Sequence, residues 1–98
     1  MNTARKGAAA ERRARRILEA AGYTVTRSAA SKGVADLVAW DEFGFRLVSV
    51  KSGAAYASAA ERHALAACPA PANTVREIWR FPPGSRTPEI ERLEGGRR

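Results

Sequence analysis

The stretch "VADLVAWDEFGFRLVSVKSG", residues 34–53, decides how this chain is read. Two apolar runs, "ADLVAW" at 35–40 and "FRLVSV" at 45–50, flank a short "DEFG". Runs of that length, rich in β-formers and separated by a turn with Asp and Gly, read as a hairpin. If Trp40 and Phe45 close it, Val38 faces Leu47 and Asp36 faces Ser49. Side chains alternate along a strand, so Asp36, Ser49 and Lys51 share one face, with Lys51 a diagonal neighbour of Asp36. Ala35, Leu37, Ala39, Val48 and Val50 fall on the other. Both faces are largely apolar, as in strands buried inside a sheet. A buried strand that ends in a lysine facing an aspartate has two readings. One is a structural ion pair at the sheet's end. The other is a metal-dependent phosphodiesterase, in which carboxylates hold Mg²⁺ against the phosphate and the ion lowers the pKa of a bound water. A nearby Lys⁺ then orients that water or steadies the charged transition state.

Outward from the hairpin, residues 3 to 21 read as a helix that Thr3 caps and Gly22 ends. Ala8, Glu11, Ala14, Leu18 and Ala21 share one face, with Ile17 beside them, and Arg12, Arg13 and Arg16 lie opposite. "YTVTR" at 23–27 alternates as a strand, and "SAASKG" at 28–33 is a loop. After the hairpin come an Ala-rich helix at 57–67 with Glu61 near its start, "CPAPAN", a strand "VREIWRF" at 75–81, and a "PPG" turn. "TPEIERL" reads as a short edge strand and "EGGRR" as a tail. The expected order is α-β-β-β-α-β with a further edge strand. That is an α/β fold, a mixed central sheet flanked by helices in one domain over residues 1–98.

The chain has 98 residues and a formal charge of +7. Residues 1 to 32 hold eight Lys/Arg against two Glu, and the remainder nine against eight, so the excess lies in the first third. A one-sided positive charge favours a polyanion partner, nucleic acid before membrane; the plainer alternative is a solvated basic helix. Cys68 is the only cysteine, which excludes an internal disulfide and gives no zinc cluster. No apolar run approaches the length of a membrane span, and the basic N-terminus lacks the apolar stretch of a signal peptide. The expectation is a cytoplasmic protein with no membrane partner.

Other residues bear on the choice at Asp36 and Lys51. Glu11 points inward from a helix loaded with arginine, and an inward carboxylate needs a cation or a metal. Arg15, four residues on, is the ordinary candidate. The hydroxyls of the "SAASKG" loop, with Lys32 and Gly33, suit a phosphate, although an ordinary polar loop has the same composition. His63 reads as an exposed helix residue, Cys68 as small packing, and Trp79 as core in preference to a dimer interface.

Together, "ERRARRILEAAGYTVTRSAASKGVADLVAW" and "VSVKSG" resemble the archaeal-type Holliday junction resolvases of the PD-(D/E)XK nuclease superfamily. The resemblance covers Arg5 to Gly53. Its parts are Lys6 and Gly7 ahead of an inward Glu11, a strand ending in Arg27, the loop Ser31, Lys32 and Gly33, a "D-L-V" strand, and an "x-V-K-S" strand. It implies a restriction-endonuclease-like fold and a homodimeric, Mg²⁺-dependent endonuclease that cuts branched DNA, with Mn²⁺ as a substitute. Glu11, Asp36 and Lys51 take the family's catalytic positions, and Ser31 matches its loop serine. On that reading Arg5, Lys6, Arg27, Lys32 and Gly33 meet phosphates near the site, and Arg12, Arg13 and Arg16 extend the basic surface. Phosphate contacts carry no sequence information directly, so recognition goes by backbone and branch shape.

The chain departs from that family at Ser49, where an acid is expected two residues before the lysine. A neutral hydroxyl is a poor Mg²⁺ ligand. Three explanations stand. Glu61, on the following helix, replaces the missing acid. Alternatively, Asp36 and Glu11 suffice with waters and the Val50 carbonyl. Or the protein binds DNA and cuts weakly or not at all. The rivals to a junction resolvase are a flap or repair nuclease of the same fold, a non-catalytic DNA-binding module, and a structural protein whose basic helix binds protein or RNA.

Overall fold

The computed structural model describes residues 3–28 and 34–93, without the side chains of residues 3 to 6. Ser31, Lys32, Gly33, the tail at 94–98 and the side chains of Arg5 and Lys6 lie outside that description. The elements are α1 (Thr3–Ala20), β1 (Thr24–Arg27), β2 (Leu37–Trp40), β3 (Phe45–Ser52), α2 (Ala59–Ala67), β4 (Thr74–Phe81) and β5 (Glu89–Leu93). The strands form one five-stranded sheet in the order β1-β2-β3-β4-β5. Strands β3 and β4 are parallel, and every other neighbouring pair is antiparallel. A parallel pair needs a crossover, which α2 supplies. The fold is therefore α/β, a mixed sheet with two helices, compatible with the restriction-endonuclease-like core expected from the sequence.

Each face of the sheet carries its own apolar cluster. Leu37, Val48, Trp79 and Phe81 pack with Ala10, Ala14 and Leu18 of α1. Ile78 packs with Leu65 of α2, and Leu47 lies against them. Adjacent residues of β3 and β4 thus serve opposite helices, as strand alternation requires. The stripe that α1 buries differs from the expected one. It is Ala10, Ala14 and Leu18, whereas Ala21 is exposed and Ile17 is 36% exposed. The i, i+4, i+8 row places two alanines against the sheet, and the broader expected stripe would have required Glu11 in the core.

The hairpin closes as counted, with Trp40 opposite Phe45 and Leu37 opposite Val48. Its turn is held by Asp41, whose Oδ1 accepts from the N–H groups of Phe43 (2.9 Å) and Gly44 (3.1 Å). A Cβ at Gly44 would collide with the Asn73 carbonyl, so the turn can lie against the start of β4 only with glycine there.

One residue beyond that ladder the count slips. The Asp36 N–H donates to the carbonyl of Val48, the residue Leu37 already faces, at 2.9 Å. The packing agrees: Ala35 joins the cluster on the α2 side and Leu37 the one on the α1 side, although strict alternation would put both on one face. Two residues against one is the signature of a bulge, which re-aims a side chain. The expected pairing of Asp36 with Ser49 is therefore corrected, and Ala35 leaves the face it was expected to share with Leu37.

In β4, Glu77 is 1% exposed. Its carboxylate accepts from Arg46 (2.9 Å), Arg92 (2.7 Å) and the Trp79 indole (3.0 Å). Arg46 in turn donates to the Tyr23 hydroxyl at 3.1 Å. A carboxylate this deep is tolerable only when its oxygens are met by such partners. Trp79 is core, as expected, at 2% exposure.

Candidate active site

Lys51 lies within β3, because the parallel ladder with β4 carries the strand on to Ser52. It alternates with Leu47 and Ser49 and so projects on the α2 face. There its Nζ meets Glu61 Oε2 at 2.8 Å. Glu61 is also the acid of a capping box: Ser58 Oγ accepts from the Glu61 N–H (3.0 Å), and Glu61 Oε1 accepts from the Ser58 N–H (2.8 Å). The lysine and the start of α2 are thereby joined through one carboxylate.

That carboxylate is held below the usual range, first by the Lys51 hydrogen bond and then by the Ser58 N–H. A carboxyl depressed on folding adds stability above its unfolded pKa, and that stability is lost as pH falls through the folded value. The Lys51–Glu61–Ser58 link therefore adds its stability at neutral pH and loses it as acid protonates Glu61.

Asp36 is fixed by the bulge. Its Oδ2 accepts from the Val50 N–H at 2.7 Å, and Oδ1 has no partner among the described residues. Glu11 meets Arg27 at 3.0 Å and not Arg15, which pairs with Glu19 at 3.1 Å. Arg27 reaches Glu11 because β1 packs beside α1. The pair opens on a cleft of about 220 Å³ that Arg12 and Arg15 also line. His63 is exposed, and no group of three or more His, Cys, Asp or Glu among the described residues could hold a metal ion. Lys51 and Glu61 are thus brought together, as are Asp36 and Val50, while Glu11 sits with Arg27.

The family model described as archaeal Holliday junction resolvase (hjc) matches residues 2–66. The chain belongs to that family. Glu11, Asp36, Val50, Lys51 and Glu61 all lie within the matched residues of this resolvase-family chain, and β4 and β5 lie beyond them. No curated protein and no solved structure matches it. No helix among the described residues is long and apolar enough to cross a membrane.

The donors present suit a hard cation in a sparse way. All are oxygens, Asp36 keeps one with no partner among the described residues, and Mg²⁺ commonly takes one or two carboxylates and completes its shell with waters and substrate phosphate. Glu61 has both oxygens engaged, and one of Glu11's is bound to Arg27.

Sequence reasoning missed two features. Arg80 is the β4 partner of Lys51. It donates to the carbonyls of Ala55 (3.1 Å) and Gly53 (3.2 Å), pairs with Glu89, and stacks 3.9 Å from the Tyr56 ring centroid. It thereby fixes the segment that follows Lys51, and only the pairing of β3 with β4 brings it there. The capping box had a legible signal, the serine at 58 three residues before the glutamate at 61.

Proposed function

We propose that this resolvase-family chain is a metal-dependent, structure-selective endodeoxyribonuclease that cuts four-way DNA junctions. The observation that carries the reading is Lys51, set at the end of a central strand within the matched residues and oriented by Glu61 at 2.8 Å. Asp36 would hold Mg²⁺, or Mn²⁺, through its Oδ1, with the Val50 carbonyl, and with Glu61 once it releases a partner. Glu11 would add a second carboxylate if Arg27 turned to a phosphate. The ion supplies a bound water of lowered pKa and charge to offset that of the phosphate. Lys51 places its ammonium against the phosphate oxygens as charge builds on them. Ser31 and Lys32 would complete the phosphate-binding loop, and a homodimer would place two such sites for symmetric cuts.

The direct test is a labelled four-way junction incubated with Mg²⁺ and read on a denaturing gel. Paired symmetric nicks are expected. Tight binding without nicks would establish the second reading, a DNA-binding relative. That reading is favoured by Ser49 and by the lack of a three-acid group among the described residues.

Binding should be steeply salt-dependent, log affinity falling by about 0.9 per phosphate contact against log salt on B-DNA. Arg27→Ala and Lys32→Ala should each flatten that slope by about one contact. Slopes identical to wild type in both variants would remove these residues from the contact surface.

A further inference from the structure

The described arginines divide by partner. Arg15, Arg27, Arg46, Arg62, Arg80 and Arg92 each meet a carboxylate, and Arg76 donates to the Cys68 carbonyl. Arg12, Arg13, Arg16 and Arg86 meet no acid among the described residues. Arg12 and Arg16 project from α1 into solvent. Arg13 and Arg86 line one cleft of about 500 Å³ between the middle of α1 and the turn at 82–86.

The cleft is suited to a polyanion backbone. Ala9, Ala10 and Gly53 line it with little side-chain bulk, Pro82 and Pro83 supply apolar wall, and the buried edge of Phe81 forms part of its floor. The Arg13 guanidinium carbon stands 5.8 Å from the Phe81 ring centroid. Such stacking orders the guanidinium while its N–H edge stays available for a phosphate. The turn is fixed as well: the Ser85 N–H donates to the Pro82 carbonyl (3.0 Å), and Ser85 Oγ donates to the Thr87 carbonyl (2.9 Å). Arg86 therefore rides on an ordered support.

Position separates this cleft from the candidate active site. Ser52 and Gly53, which line it, follow Lys51 directly. Phe81 and Ala10 belong to the α1 face, whereas Lys51 meets α2. The same end of the sheet thus presents a lysine on one face and an arginine pair on the other. DNA arms that diverge from a branch point would part around that end. The turn also lies beyond the family-matched residues 2–66.

We propose that this cleft takes the sugar–phosphate backbone of a second, uncut DNA arm, with Arg13 and Arg86 as its phosphate contacts. The assignment rests on the junction reading above. It is tested by measuring affinity for a four-way junction and for a linear duplex of one arm's sequence, over a series of salt concentrations without divalent metal. Arg86→Ala should flatten the junction slope by about 0.9, and combining it with Arg13→Gln by about twice that. Both should leave the duplex slope unchanged, and Arg86→Lys should behave as wild type. Melting curves identify any variant that fails to fold, and Arg86, exposed on a turn, serves as the primary probe. An unchanged junction slope in Arg86→Ala overturns the contact, and an equal loss on junction and duplex overturns its assignment to a second arm. A wild-type protein with no preference for junction over duplex would sink the junction reading itself, and the second-arm assignment with it.

Discussion

Lys51→Ala is expected to slow junction cutting by about 10²–10³-fold, the loss found when one preorganised donor to a developing charge is removed. Junction affinity should change by less than about fivefold, because one partly exposed charge contact among many is worth about 1 kcal/mol or less. The division between rate and binding is what a transition-state role requires. Folding should survive the change. The Ser58–Glu61 capping box is independent of the lysine, so α2 keeps its N-terminal cap when Glu61 loses its cation. Single-turnover cutting and equilibrium binding on the same junction give the two numbers. Cutting at the wild-type rate would show that the active site lies elsewhere.

A second large effect is expected at Glu61. If it serves as the acid that Ser49 does not supply, Glu61→Ala should raise the Mg²⁺ needed for cutting and reduce the rate strongly. Because that variant also removes the capping-box acceptor, Glu61→Gln is the sharper probe: glutamine can still accept from the Ser58 N–H but brings no charge. Ser49→Glu restores a carboxylate on the face that carries Lys51. Added to Glu61→Gln it should recover part of the activity, a non-additive outcome expected of two residues that serve one ion. Added to the wild type it should help little or do harm. Normal cutting by Glu61→Gln would eliminate the relocated acid. If Ser49→Glu alone also raised a feeble wild-type rate strongly, the serine would mark a degraded site.

The hairpin was legible because its information is local: two apolar runs, a turn with Asp and Gly, and a two-residue period. The edge strand at 89–93 was legible for the same reason. Asp36 was not, because its placement depends on a side chain that takes the Val50 N–H, and alternation alone carries no such bond. Glu11 pointed at a cation, but the cation came from β1 and not from the next turn of its own helix, a choice made by packing. Glu61 reads from the sequence as a replacement metal ligand near the start of the second helix. The serine three positions earlier gave a further role, and the structure joins that role to Lys51. Arg80 had no local signal at all, since its place beside Lys51 arises when distant segments pair in parallel.

The charge balance around Glu77 bears on how the protein comes together. Its two arginines come from opposite directions along the chain, Arg46 from 31 residues before and Arg92 from 15 after. Neither the β2–β3 hairpin nor the β4–β5 pair alone can bury that carboxylate with both counter-charges in place, and a buried charge that loses a partner is strongly destabilising. A half-assembled sheet thus gains little by closing over Glu77, and the interior is favourable only once the last strand has docked. Folding is then expected to be all-or-none, with backbone and tryptophan signals lost at one temperature on heating.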